Sequence, residues 1–124
     1  MRTKQAARIL IVDDEPGIRE IIARVLRDEG FEVVLVTAGQ AGLTAVREAD
    51  TPYDLVITNS YMPHLSGEQL IQQLRQHFPA LPVLHLDDGT YPTISPETAS
   101  VPTLYKPFRL NGLCEEVRRL LGQI

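Results

Sequence analysis

Ile9-Leu10-Ile11-Val12-Asp13-Asp14-Glu15 sets four apolar residues directly before three acids. An unbroken apolar run of this length predicts a strand covered on both faces, and the acids mark where it leaves the core. The pattern recurs twice. Asp54-Leu55-Val56-Ile57-Thr58-Asn59 runs into Ser60-Tyr61-Met62-Pro63, and Val101-Pro102-Thr103-Leu104-Tyr105 runs into Lys106-Pro107-Phe108. Together with two further β-rich runs, these predict strands at 8–12, 32–36, 53–58, 82–86 and 101–105.

Helical periodicity fills most of the gaps. Ile18, Ile21, Ile22, Val25 and Leu26 recur at three- and four-residue spacing, with Pro16 suited to the start of that helix and Gly30 to its end. A weaker helix is predicted over about 38–49, with a small-residue face of Ala38, Ala41, Ala45, Val46 and Ala49. Ser66 and Gln69 have the spacing of a capping box ahead of Leu70, Ile71 and Leu74. Leu110, Leu113, Cys114, Val117, Leu120 and Leu121 form the apolar stripe of a last helix. Between the fourth and fifth strands the pattern fails. Pro92 and Pro96, with several Thr, Ser and Gly, predict a degenerate fourth helix or a loop, at most with one turn after Pro96.

Strands alternating with helices predict an α/β fold, a doubly wound five-stranded parallel sheet for which the flavodoxin-like order 2-1-3-4-5 is common. The 124 residues fit a single domain with a core over about 8–121. Apolar content of 44%, charged content of 23% and a net charge of −4 are those of an ordinary globule. No basic stripe exists to grip a phosphate backbone, so nucleic-acid binding by this domain alone is not expected. No membrane span or signal peptide is predicted, and the lone Cys114 agrees with a reducing, cytoplasmic setting as a buried core thiol.

Ligands bind doubly wound sheets outside the carboxyl ends of the strands, and Asp13, Asp14, Asn59, Asp87 and Lys106 all fall there. Adjacent carboxylates repel unless a cation or a donor compensates them. Oxygen donors of this type suit Mg²⁺, which takes one or two carboxylates and keeps several waters. Acids at this position also favour the start of the following helix. Asn59 offers a metal a carbonyl oxygen and a neighbour an NH₂, or serves as a strand-end turn residue. His64, His77 and His85 lack metal or nucleophile spacing; His85, inside an apolar strand, is expected to be a satisfied core residue.

The acid pair, the central polar residue and Lys106-Pro107-Phe108 together resemble the receiver domain of bacterial two-component response regulators. The resemblance covers about residues 8–121. It implies a CheY-like fold, a metal site at Asp13 and Asp14 with Asn59, and a phosphoryl-contacting Lys106. The same position that Asn59 fills carries the phosphoaccepting aspartate in that family. Asn59 has no comparable nucleophile, so the expectation is an atypical, phosphorylation-independent pseudo-receiver in a phosphorelay. Asp87 stands where the family has a hydroxyl that contacts phosphate, with Asp88 beside it. Thr103 stands where the family has its switch aromatic, while Tyr105 is expected on the opposite strand face from Lys106. Asp13, Asp14 and Asp87 against Lys106 leave a net of two negative charges, as in a conventional receiver. Either Asp87 pairs with Lys106 or reaches the metal, or Asp87-Asp88-Gly89 is a solvated turn.

The resemblance further implies a non-enzymatic signalling module acting by protein–protein contact. Its partners would be a sensor kinase, a phosphotransfer protein or another receiver, with the 87–105 region on a face used for dimerisation or for contacting output domains. Two alternatives stay open at this point. One is an aspartyl-phosphate-type phosphotransferase or phosphatase using Asp87 as an unusual acceptor; the other is an inert structural domain of a longer protein.

Overall fold

The computed structural model describes residues 6–60, 62, 64–87, 89 and 96–122. In chain order the elements are β1 (Arg8–Val12), α1 (Pro16–Asp28), β2 (Glu32–Val36), α2 (Gly39–Arg47), β3 (Leu55–Asn59), α3 (Gly67–His77), β4 (Val83–Asp87), α4 (Pro96–Ser100), β5 (Thr103–Tyr105) and α5 (Leu110–Leu120). The strands form one parallel sheet in the order β2-β1-β3-β4-β5. This is the doubly wound arrangement expected from the alternation of elements.

The apolar runs are continuous because successive side chains enter two different cores. Ile9, Ile11, Leu55, Ile57, Leu84 and Leu86 point to one face and pack with Ile22, Leu26, Leu113 and Val117 of α1 and α5. Leu10, Val12, Val56 and Val83 point to the other and pack with Leu43, Leu70, Ile71 and Leu74 of α2 and α3. Cys114 is buried in the first core, as anticipated. Among the described residues no helix is long and apolar enough to cross a membrane.

Several boundaries shift. The last three strands begin later than predicted, at Leu55, Val83 and Thr103. Pro82 and Pro102 precede two of them and cannot donate to a ladder, although their carbonyls accept from Val56 N–H at 3.0 Å and His85 N–H at 2.9 Å. The capping box forms as predicted: Gln69 N–H donates to Ser66 Oγ at 3.1 Å and Ser66 N–H to Gln69 Oε1 at 2.9 Å. Pro16 opens α1, and Gly30 follows it at φ 96°. A single short helix, α4, begins at Pro96, consistent with the one turn allowed there; residues 90–95 lie outside the described residues, as do Tyr61, Pro63 and Asp88.

The buried face of α2 differs from the alanine face predicted for it. Gly39, Gly42 and Leu43 are buried, whereas Ala41 is exposed. The glycines decide this by allowing close approach. A Cβ at Gly42 would stand 2.7 Å from Val12 Cγ2, and one at Gly39 would collide with the Leu65 carbonyl. Helix α2 therefore lies tight against β1 and the loop before α3.

Candidate functional site at the carboxyl end of the sheet

Asp13 follows directly from β1, where its N–H still donates to Val36 O at 3.1 Å. Its side chain is 1% exposed. Oδ1 accepts from Glu15 N–H at 2.9 Å, and the Arg19 guanidinium donates to the Asp13 carbonyl at 3.0 Å. Asp13 thus ties down the residue that precedes α1, although the first turn of that helix holds no acid and its N-cap no side-chain hydrogen bond. It also retains a buried Oδ2 with no hydrogen-bond partner. Burial raises the carboxyl above its usual range, opposed by the Glu15 N–H and by the Lys106 charge. Asp14, half-buried, lies beside it.

Asn59 ends β3 and is 7% exposed. Its position is fixed from behind by Gly67, the first residue of α3. Gly67 N–H donates to Ser60 O at 2.9 Å, and a Cβ on Gly67 would run into the Asn59 carbonyl. A glycine carries no side-chain signal, so this support was not visible in the sequence. Lys106 is placed by its own backbone, whose N–H donates to Asp87 O at 2.7 Å, and it precedes a cis bond to Pro107. From there Lys106 Nζ donates to Asn59 Oδ1 at 2.8 Å, and Asn59 Nδ2 points at Asp13 Oδ1 at 3.5 Å. Asp13, Asn59 and Lys106 are brought together as predicted, with Asn59 in the middle.

Asp87 does not join them. The Lys106 ammonium goes to Asn59, and Asp87 Oδ1 instead accepts from Ser60 Oγ at 3.1 Å and Gly89 N–H at 3.0 Å. The reason is strand alternation. Asn59 and Lys106 share the parity of Ile57 and Leu104, on the α1–α5 side, whereas Asp87 shares that of Val83, on the α2–α3 side. Asp87 is also no solvated turn residue, being 5% exposed.

Thr103 pairs in register with His85, and its Oγ1 stands 3.5 Å from His85 Nδ1 and 3.3 Å from Val101 O. Tyr105 is 64% exposed beside Asp87 in register, opposite in parity to Lys106 as expected. His85 is a buried, hydrogen-bonded histidine, as expected, with Ser60 Oγ 2.6 Å from its Nε2. Ser60 was not singled out from sequence. Its alternation with Thr58 on β3 was the available signal once a register is known.

The donors present fit a hard divalent cation in part. Asp13 Oδ2 has lone pairs to offer, and Asp14 adds a second carboxylate. Against this, the Asn59 oxygen already accepts from Lys106, and among the described residues no three His, Cys, Asp or Glu side chains converge as a metal-ligating group. Beside the site, Lys106, Pro107, Phe108 and Leu110 face Ile18, Ile21 and Ile22 across an apolar groove of about 360 Å³.

Comparison with known proteins agrees with this arrangement. A probable transcriptional regulatory protein of Picosynechococcus is 35% identical, over 93% of this chain and 49% of its own length. The DNA-binding response regulator MtrA of Mycolicibacterium smegmatis is 33% identical, over 92% of this chain and 50% of its own. The chain thus spans about half the length of these curated relatives. Among solved structures, the response regulator TrrA of Thermotoga maritima, in complex with Mg²⁺ and BeF, superposes with a TM-score of 0.82 at 30% identity, covering 92% of this chain and 98% of TrrA. The chemotaxis response regulator CheY4 of Vibrio cholerae gives 0.81 at 27% identity, covering 94% and 99%. With the family profile matching residues 9–118, the chain belongs to the response regulator receiver domain family.

Proposed function

We propose that this receiver domain signals without accepting a phosphoryl group at its central position, and that it does so through protein–protein contact. The observation that carries this is the 2.8 Å bond from Lys106 Nζ to Asn59 Oδ1. An aspartate in the same place would accept from Lys106 equally well but would set a third carboxylate against Asp13 and Asp14, which calls for a cation. The asparagine amide accepts from the ammonium and directs its N–H toward Asp13 Oδ1. It therefore links cation to anion by itself and keeps no nucleophilic oxygen for phosphorus.

Mg²⁺, when bound, would be held by Asp13 and Asp14 and would neutralise that pair. Its affinity here is lower than in a receiver with a third carboxylate. Partners are of the two-component type: a sensor kinase, a phosphotransfer protein or another receiver. A net charge of −4 without a basic stripe supports no direct role in gripping DNA. DNA binding of the kind named for MtrA would then fall to the half of that protein outside the match. The domain itself is not an enzyme. Asp87, buried and bonded to Ser60 and Gly89, is a poor substitute acceptor.

The test is incubation with Mg²⁺ and acetyl phosphate, read by intact mass beside Asn59→Asp and a conventional receiver. The parent chain is expected to stay unmodified while Asn59→Asp and the control gain one phosphate. A stoichiometric gain on the parent chain overturns the proposal.

A further inference from the structure

The other face of the sheet carries a second line of polar side chains. His85, 3% exposed, and Asp87 point the same way from β4, and Ser60 lies against both. Ser60 Oγ stands 2.6 Å from His85 Nε2, 3.1 Å from Leu86 O and 3.1 Å from Asp87 Oδ1. A serine hydroxyl has one proton to give. Given to His85 Nε2, it would leave Asp87 Oδ1 facing serine lone pairs at 3.1 Å inside the protein, a costly arrangement. With the proton on Nε2 instead, the serine oxygen accepts from the ring and its hydroxyl turns to the carboxylate, a charged acceptor that prevails over the neutral Leu86 carbonyl at the same 3.1 Å. Gly89 N–H then gives the same carboxylate oxygen its second donor, at 3.0 Å.

We propose that His85 is a positioning residue for Asp87: its Nε2–H donates to Ser60 Oγ, the Ser60 hydroxyl donates to Asp87 Oδ1, and this directed chain keeps the carboxylate on the α2–α3 side, off Lys106. Strand parity already turns Asp87 away from Lys106, and the Ser60–His85 pair secures that direction by giving the carboxylate a donor on its own side. His85 Nδ1 is left with its lone pair toward Thr103 Oγ1, at 3.5 Å the loosest step of the line. The inference stands on hydrogen-bond geometry and is independent of whether position 59 accepts phosphate.

Long-range ¹H–¹⁵N spectra of the imidazole read the decisive proton directly in the intact domain. The neutral Nε2–H tautomer is expected at His85; the Nδ1–H tautomer overturns the proposal. A second measurement follows amide exchange at Gly89 in Ser60→Ala, His85→Leu and His85→Gln. Exchange at Gly89 is expected to rise roughly tenfold in the first two, as Asp87 leaves its place, while β1 amides keep their rates. His85→Gln, which restores an N–H donor, is expected to return it toward the parent rate. Unchanged Gly89 exchange in Ser60→Ala and His85→Leu overturns the chain. Should His85→Leu not fold, the tautomer and Ser60→Ala decide the matter alone.

Discussion

The two faces of the sheet treat charge at its carboxyl end in opposite ways. On the α1–α5 side, Lys106, Asn59 and Asp13 lie in a line, so a cation and a buried anion are joined through one neutral amide. On the α2–α3 side, Asp87 has no cationic partner among the described residues and accepts from a hydroxyl and a backbone N–H. Two residues adjacent across the β3–β4 ends thus belong to separate networks, because neighbouring strand positions face opposite cores. Proximity in a list of strand ends does not make a shared site; parity does.

That division can be broken most severely where both sides share a support. Gly67→Ala places a Cβ against the Asn59 backbone, and overpacking of this kind costs about 1–3 kcal/mol. Urea denaturation should show the loss, and a midpoint equal to the parent's would mean that α3 can shift away freely. Asn59→Leu cuts the α1–α5 line alone, leaving the Lys106 ammonium and the Asp13 carboxylate without their link. A cost of about 1–3 kcal/mol is expected from stranding such groups, and a neutral result would show that the line contributes nothing to folding.

The α2–α3 side should reveal itself through pH. Burial lowers the affinity of His85 for a proton below its ordinary value of 6.5, with Asp87 opposing. The unfolded chain therefore binds this proton first, and stability should fall as pH drops below about 6.5 and hold level above it. Asp13 acts in the reverse sense at lower pH, since its carboxyl is raised from 3.8 and the folded state takes that proton first. Thermal melts across this range should slope for the parent chain and flatten in His85→Gln; equal slopes would show that His85 titrates alike folded and unfolded. Thr103→Val should be the mildest change, within about 0.5 kcal/mol, because its hydroxyl contacts of 3.3 and 3.5 Å are long. A larger loss would tie β5 into the network more tightly than these distances imply.

Much of this was legible in the chain itself. Continuous apolar runs located the strands because burial on two faces leaves no room for alternation, and Ser66 with Gln69 announced α3. Asp13, Asn59 and Lys106 were readable as one site from their places at strand ends. What escaped was anything that depends on who stands behind whom. Gly39, Gly42 and Gly67 act through an absent side chain, which only a neighbour's position makes meaningful. The partnership of Ser60 with His85 required the β3–β4 register, and the direction of Asp87 required knowing which core each strand position faces.

The fit of Gly67 behind Asn59 bears on how such a domain changes over time. The backbone at position 59 is clamped by contacts that ignore the side chain in front, so asparagine and aspartate fit the same socket in shape while differing in charge beside Asp13 and Asp14. Replacing an amide NH₂ by oxygen alters the chemistry of the position without asking the scaffold to move. On the function proposed above, Asn59→Asp would supply the acceptor carboxylate without rebuilding the fold.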